Sequence, residues 1–151
     1  MIDGVEIKQL RTFADERGSL TEILRRDDEI FEGFGQCYFS ISYPGVIRGW
    51  HYHEKQTDYF TCVSGMIKVP LYDRRPDSPT HGEINEFFIG DENRIVVKIP
   101  RGVLHGFKNV GLTPCILVNF PTEPYDPKEP DELRVPYDDP SIPYSWDITF
   151  T

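Results

Sequence analysis

The chain has 151 residues, enough for one domain with one core, and is rich in aromatics (10 Phe, 8 Tyr, 2 Trp), Gly (12) and Pro (13). Its formal charge is −9; from Glu123 onward eight acidic residues oppose two basic ones, which leaves −6 of that total in the last segment. Nucleic-acid partners are disfavoured, because phosphates need a basic face.

Period-2 alternation in β-branched and aromatic runs predicts strands over 4–8, 19–25, 36–43, 57–63, 66–72, 84–89, 94–99, 104–109 and 114–120. Turn residues separate them, as in "YPG" at 43–45, "GDEN" at 90–93 and "VGLTP" at 110–114. Asp27–Phe31 is the one helix-like piece, Asp73–Arg74 reads as a structural ion pair in a turn, and His81 reads as exposed. Cys37, Cys62 and Cys115 lie in apolar runs without a CxxC and are expected to be buried free thiols. Seven prolines between Pro121 and Pro143 make 121–151 an irregular acidic tail that wraps the outside with a solvated surface. No N-terminal leader pattern and no apolar stretch of spanning length occur, so a cytoplasmic protein with no membrane partner is expected. Many short antiparallel strands predict an all-β sandwich or jelly-roll barrel, one domain over 1–151.

The chemistry concentrates in two blocks. Residues 45–65 read "GVIRGWHYHEKQTDYFTCVSG", and residues 100–109 read "PRGVLHGFKN". Residues two apart on a strand share a face, so His51 and His53 point together, into the barrel or out of it. Two imidazoles, the Asp58 carboxylate and a third imidazole from His105 make a borderline donor set, suited to a divalent Zn, Mn, Fe, Ni or Cu ion with open positions. The two blocks resemble the paired motifs of the cupin superfamily, in whose metal-binding members such residues are ligands; Asp58 stands where those members usually carry Glu.

A second resemblance spans nearly the whole chain. "DERGSLTEI" (15–23), "GQCYFSIS" (35–42), "GVIRGWHYH" (45–53), "YDRRPDSPTHG" (72–82), "IPRGVLHGF" (99–107), "EPYDP" (123–127) and "DDPSIPYSW" (138–146) are similar to the dTDP-4-dehydrorhamnose 3,5-epimerase family. That resemblance implies a cupin jelly roll, a nucleotide-sugar substrate, a homodimer with strand exchange near 19–25, and isomerisation beside the keto group of a nucleotide-linked 4-keto-6-deoxy sugar. It implies His51 as general base, Tyr125 as a tyrosine lining the site, and Arg17, Glu22, Gln36, Arg48 and His105 as substrate-binding residues. The catalytic candidates also include Asp58 and Asn119, which stand where the family carries its pocket lysine and its acid tyrosine. His53 replaces a glutamine, and the aspartate that orients the base has no counterpart. The block "RGWHYHEKQTDYF" also resembles the zinc-carrying cupin domain of staphylococcal capsule epimerases. His51 is therefore either a base or, with His53, Asp58 and His105, a metal ligand, since one lone pair cannot serve both roles. Were it a ligand, Tyr125, Tyr52 and Tyr38 would be left to move protons.

Overall fold

The computed structural model describes residues 1–149, and residues 150 and 151 of the single-domain span lie outside the described residues. Two five-stranded antiparallel sheets face each other. The first, in spatial order, holds β1 (Glu6–Gln9), β9 (Ile95–Ile99), β6 (Asp58–Ser64), β11 (Cys115–Asn119) and β4 (Tyr38–Ser42). The second holds β12 (Leu133–Arg134), β5 (Ile47–Tyr52), β10 (Leu104–Asn109), β7 (Met66–Tyr72) and β8 (Ile84–Gly90). A separate hairpin pairs β2 (Thr12–Asp15) only with β3 (Gly18–Thr21).

Alternation drives this arrangement. Ile67, Val69 and Leu71 of β7, Phe60 and Cys62 of β6, Val97 and Ile99 of β9 and Leu117 of β11 meet between the sheets as one buried cluster. The residues between them face outward. On the first sheet this second face buries Tyr59 and Val96 beneath Ile30, Ile23 and Leu24. On the second it buries Trp50 and Leu104 beneath Ile142 and Trp146 of the C-terminal segment.

Several expectations change. Among the described residues there is no helix: Asp27–Phe31 forms turns, with the Phe31 N–H donating to the Asp28 carbonyl. Asp28 instead spends its carboxylate on Lys8 (2.5 Å) and the Arg25 N–H (2.7 Å). The predicted strand 19–25 ends at Thr21, β2 and β12 lie where no strand was expected, and β5, absent from the strands that alternation predicts, holds His51 but stops short of His53. Asp73 pairs with Arg75 (2.8 Å) rather than Arg74, because the turn that lets Ser78 and Thr80 donate to its buried carboxylate also folds Arg75 back over it. Arg74 lies over the Tyr52 ring. Cys37 is exposed, since it precedes β4 instead of lying within a covered strand; Cys62 and Cys115 are buried.

The pairing of β5 with β10 positions the chemistry. His51 lies opposite His105, yet Arg48 lies opposite Phe107, so three residues on β5 span what two span on β10. This bulge turns both Arg48 and His51 toward the same cavity although their odd spacing would put them on opposite faces. The two strands approach so closely that only glycine fits: a Cβ on Gly106 would stand 2.7 Å from the Arg48 carbonyl oxygen and 2.8 Å from the Gly49 Cα. Gly106→Ala should therefore cost about 1–3 kcal/mol of stability, readable in a denaturant melt; an unchanged midpoint would mean the bulge is looser than described.

Candidate active site

A cavity of about 570 Å³ opens between the sheets. Its lining includes Gln36, Tyr38, Arg48, His51, His53, Asp58, His105 and Tyr125. The structure thus brings together most of the residues singled out in the sequence, from β4, β5, β6, β10 and the segment after β11. Four do not join them, the first being Tyr52, whose ring lies beneath Arg74. Arg17 sits at the tip of the β2–β3 hairpin, ion-paired with Asp15 (2.5 Å), and Glu22 just beyond that hairpin faces Arg25 (3.3 Å). Among the described residues the hairpin pairs with no other strand, and none of its residues lines the cavity. Asn119 is fully buried and is a positioning group: its Oδ1 accepts the Tyr59 N–H (3.1 Å), and its Nδ2 donates to the Tyr38 hydroxyl oxygen (2.9 Å).

His51 and His53 both line the cavity but do different things there. His51 is the last residue but one of β5, and its Nδ1 lies 3.3 Å from Glu132 Oε1. Burial, and then the neighbouring His105, push its pKa down to about 4 despite the opposing pull of Glu132. The imidazole is thus neutral at physiological pH, and a proton on Nδ1 facing Glu132 leaves the Nε2 lone pair free. His53 lies past the strand end with its Nε2 3.1 Å from Asp58 Oδ2, and His105 Nε2 approaches the same oxygen at 3.2 Å. Burial works to raise the pKa of Asp58, but His105 and His53 outweigh it and hold the carboxyl well below the usual range. One atom each of His53, Asp58 and His105 lies within 4.8 Å of the others, and all three residues are buried. His51 stands outside that group, its ring centroid 6.4 Å from that of His105 against 5.2 Å for His53.

Tyr38 enters from the facing sheet. The residue is partly exposed, but burial and then the charge of Asp58 push the phenol up to about 12. It remains protonated at neutral pH, and because Asn119 donates to its oxygen, its own hydrogen is available to the cavity.

Residues 1–151 match the family model described as dTDP-4-dehydrorhamnose 3,5-epimerase. The chain belongs to this family. The spore coat polysaccharide biosynthesis protein SpsL of Bacillus subtilis (strain 168) is 45% identical over 150 residues, which cover 99% of each chain. The probable low-salt glycan biosynthesis epimerase Agl13 of Haloferax volcanii is 49% identical over 147 residues, 96% of this chain and 94% of that one. Among solved structures, a dTDP sugar isomerase from Desulfovibrio desulfuricans G20 superposes with a TM-score of 0.90 at 34% identity, covering 96% of this chain and 92% of the other. The jelly-roll fold and a sugar-nucleotide epimerase acting in polysaccharide biosynthesis, both implied by the sequence resemblance, are borne out at this level.

The epimerase also contains site residues that its sequence did not disclose. The acidic tail is not simply a solvated surface: Glu123, Asp126, Glu129, Asp131 and Glu132 all line the cavity. Asp131 fastens the tail there. Its carboxylate accepts the N–H groups of Glu54 (2.8 Å), Lys55 (2.8 Å) and Gln56 (3.0 Å), and its carbonyl oxygen accepts from His53 Nδ1. Two short strand pairings follow, Leu133 with Tyr52 and Arg134 with His51, and they deliver Glu132 to the His51 ring. Nothing in the local sequence marks this contact, because about 80 residues separate its partners.

Proposed function

We propose that the protein epimerises a nucleotide-linked 4-keto-6-deoxy sugar, with His51 as general base, Glu132 as the carboxylate that orients it and Tyr38 as proton donor. The observation that carries this reading is a neutral, carboxylate-oriented imidazole and a protonated phenol entering one cavity from two facing sheets. A proton beside a ketone leaves only if the enolate is stabilised as it forms, and inversion requires a donor on the face opposite the base. His51 takes the proton through Nε2. The Tyr38 phenol returns one from the other side, and Asn119 holds its oxygen in place. Tyr125, exposed at the rim, is better placed to hold substrate than to move protons.

The charge of the cavity points to the nucleotide end. Six carboxylates line it with only Arg48, Lys55 and Arg134, and Lys55 and Arg134 are paired with Glu129 and Glu132. Among the described residues Arg48 makes no ion pair, donating instead to Ser42 Oγ (2.9 Å) and the Ile41 carbonyl (3.3 Å). It is the cation available to a diphosphate, with Gln36 beside it in the lining. One chain is thus short of positive charge for such a substrate. A homodimer would supply more: among the described residues the hairpin that carries Arg17 pairs with no other strand, and Phe39, Ile41 and Tyr43 leave an apolar face exposed along edge strand β4. Light scattering should then give twice the chain mass. The free thiols fit a reducing, cytoplasmic setting.

The test is a reaction in deuterium oxide with a thymidine-diphosphate-linked 4-keto-6-deoxyhexose. Deuterium is expected at a carbon flanking the ketone, and no incorporation from any such sugar would overturn the reading. Tyr38→Phe should separate the two half-steps: exchange continues with retention while inverted product falls by about 10²-fold or more. Glu132→Gln should lower kcat by about 10–100-fold with little change in KM, as expected for a group that acts through His51.

A further inference from the structure

We infer that His53, Asp58 and His105 form a site for one divalent transition-metal ion, and that His51 is not part of it. The argument starts from hydrogens. His105 Nδ1 lies 3.0 Å from the Val103 carbonyl oxygen, and His53 Nδ1 faces the Asp131 carbonyl oxygen. A carbonyl oxygen only accepts, so both Nδ1 atoms carry protons. In the neutral rings both Nε2 atoms are then unprotonated, and they stand 3.1 and 3.2 Å from Asp58 Oδ2. Three electron-rich atoms converge in a buried place.

Asp58 sharpens the point. Its Oδ1 accepts from Gln56 Nε2 (2.8 Å), whereas its Oδ2 is buried and receives no aligned hydrogen bond. An ionised oxygen left so is strongly destabilised unless a cation compensates it. That cation is either one extra proton on an imidazole or a metal. An extra proton would have to lie along an Nε2–H direction aimed at Oδ2, and neither ring presents that alignment. Donor atoms about 2.0–2.2 Å from one ion stand about 3.0–3.5 Å from each other, which brackets both Nε2–Oδ2 separations. Imidazoles whose far N–H is tied to backbone carbonyls, and a carboxylate steadied by an amide, are the outer contacts that fix metal ligands.

Two nitrogens and one oxygen suit Zn²⁺, Co²⁺, Mn²⁺, Fe²⁺ or Ni²⁺, with the remaining positions open to the cavity. When bound, such an ion supplies Lewis-acid polarisation to an oxygen placed beside it, which would serve where the family's pocket lysine is replaced by Asp58. The metal site stands on the ring contacts; its use at a sugar ketone rests on the epimerase reading. His51, held by Glu132, keeps its lone pair for the substrate.

The test uses the full chain, purified without a nickel column, stripped with chelator and then titrated with Zn²⁺ and with Co²⁺. Calorimetry, elemental analysis and the Co²⁺ visible spectrum give readouts independent of turnover. About one equivalent is expected, with a Tm increase on Zn²⁺ addition. Asp58→Asn and His53→Ala should each weaken binding at least 100-fold, while His51→Asn should leave it within about threefold. His105→Gln, which keeps a polar group in place, serves if His53→Ala fails to fold. Failure of the wild-type chain to bind Zn²⁺ or Co²⁺ below millimolar concentration would overturn the site. Loss of binding in His51→Asn equal to that in His53→Ala would overturn the exclusion of His51. Neither result depends on the sugar, so failure of the epimerase reading would appear separately, in the deuterium experiment.

Discussion

His51→Asn should abolish inversion and solvent exchange together, lowering kcat by about 10²–10⁴-fold while the protein remains folded. The reason is local. Asparagine keeps a polar group near Glu132 but has no lone pair basic enough to take a carbon-bound proton. The 29% exposure of the His51 side chain means that no tightly packed core depends on it, so the melting temperature should move little. The contrast with Tyr38→Phe is informative, since loss of the donor spares exchange and loss of the base does not. Rates would be read by mass spectrometry of deuterium uptake and by resolution of the epimers. If His51→Asn retained exchange near the wild-type rate, the base would have to be another group in the cavity.

Trp146→Ala should produce the largest loss of stability, about 3–5 kcal/mol, with a Tm fall on the order of 10 °C. Trp146 is nearly buried, its ring centroid 4.8 Å from that of Trp50 and 5.3 Å from that of Tyr144, and its Nε1 donates to the Tyr137 carbonyl (2.9 Å). Two lysines on the sheet beneath pin the same segment: Lys108 Nζ donates to the Trp146 carbonyl (2.8 Å) and Lys68 Nζ to that of Asp147 (2.9 Å). Removing the indole uncovers Trp50, the residue next to His51 on β5. Activity should therefore fall along with stability, while Trp146→Phe retains most of both. A Trp146→Ala protein that melts like the wild type would show that the tail does not dock in solution.

These two residues also show how far the linear sequence reached. The alternation of Ile67, Val69 and Leu71, or of Phe60 and Cys62, was legible because a strand with one covered face repeats every two residues whatever its partners are. The same local rule found most of the barrel. It missed β5, the strand that carries the chemistry, because Gly49 and the bulge break its alternation and its apolar Trp50 faces a tail that arrives only after about 90 residues. It also misread Asp27–Phe31, where side-chain contacts to Lys8 and Arg25 favour turns over a helix.

The site divides in the same way. His51, His53, Asp58 and His105 could be picked out because they lie in two short motifs whose spacing reflects the local geometry of a strand and its turn. Which of them share a centre could not, since that depends on ring directions set by the carbonyls of Val103 and Asp131. Glu132 was invisible as a partner of His51, and Asn119 as the support of Tyr38, because each acts across strands distant in the chain. By itself the sequence determined the all-β fold, the family and the pool of reactive side chains, all of which follow from short-range periodicity and motif order. Only the tertiary structure decided that a bulge turns Arg48 and His51 into one cavity, that the acidic tail closes onto it, and that His53, Asp58 and His105 converge while His51 stands apart. Those outcomes depend on contacts whose partners are brought together by folding, and no local spacing encodes them.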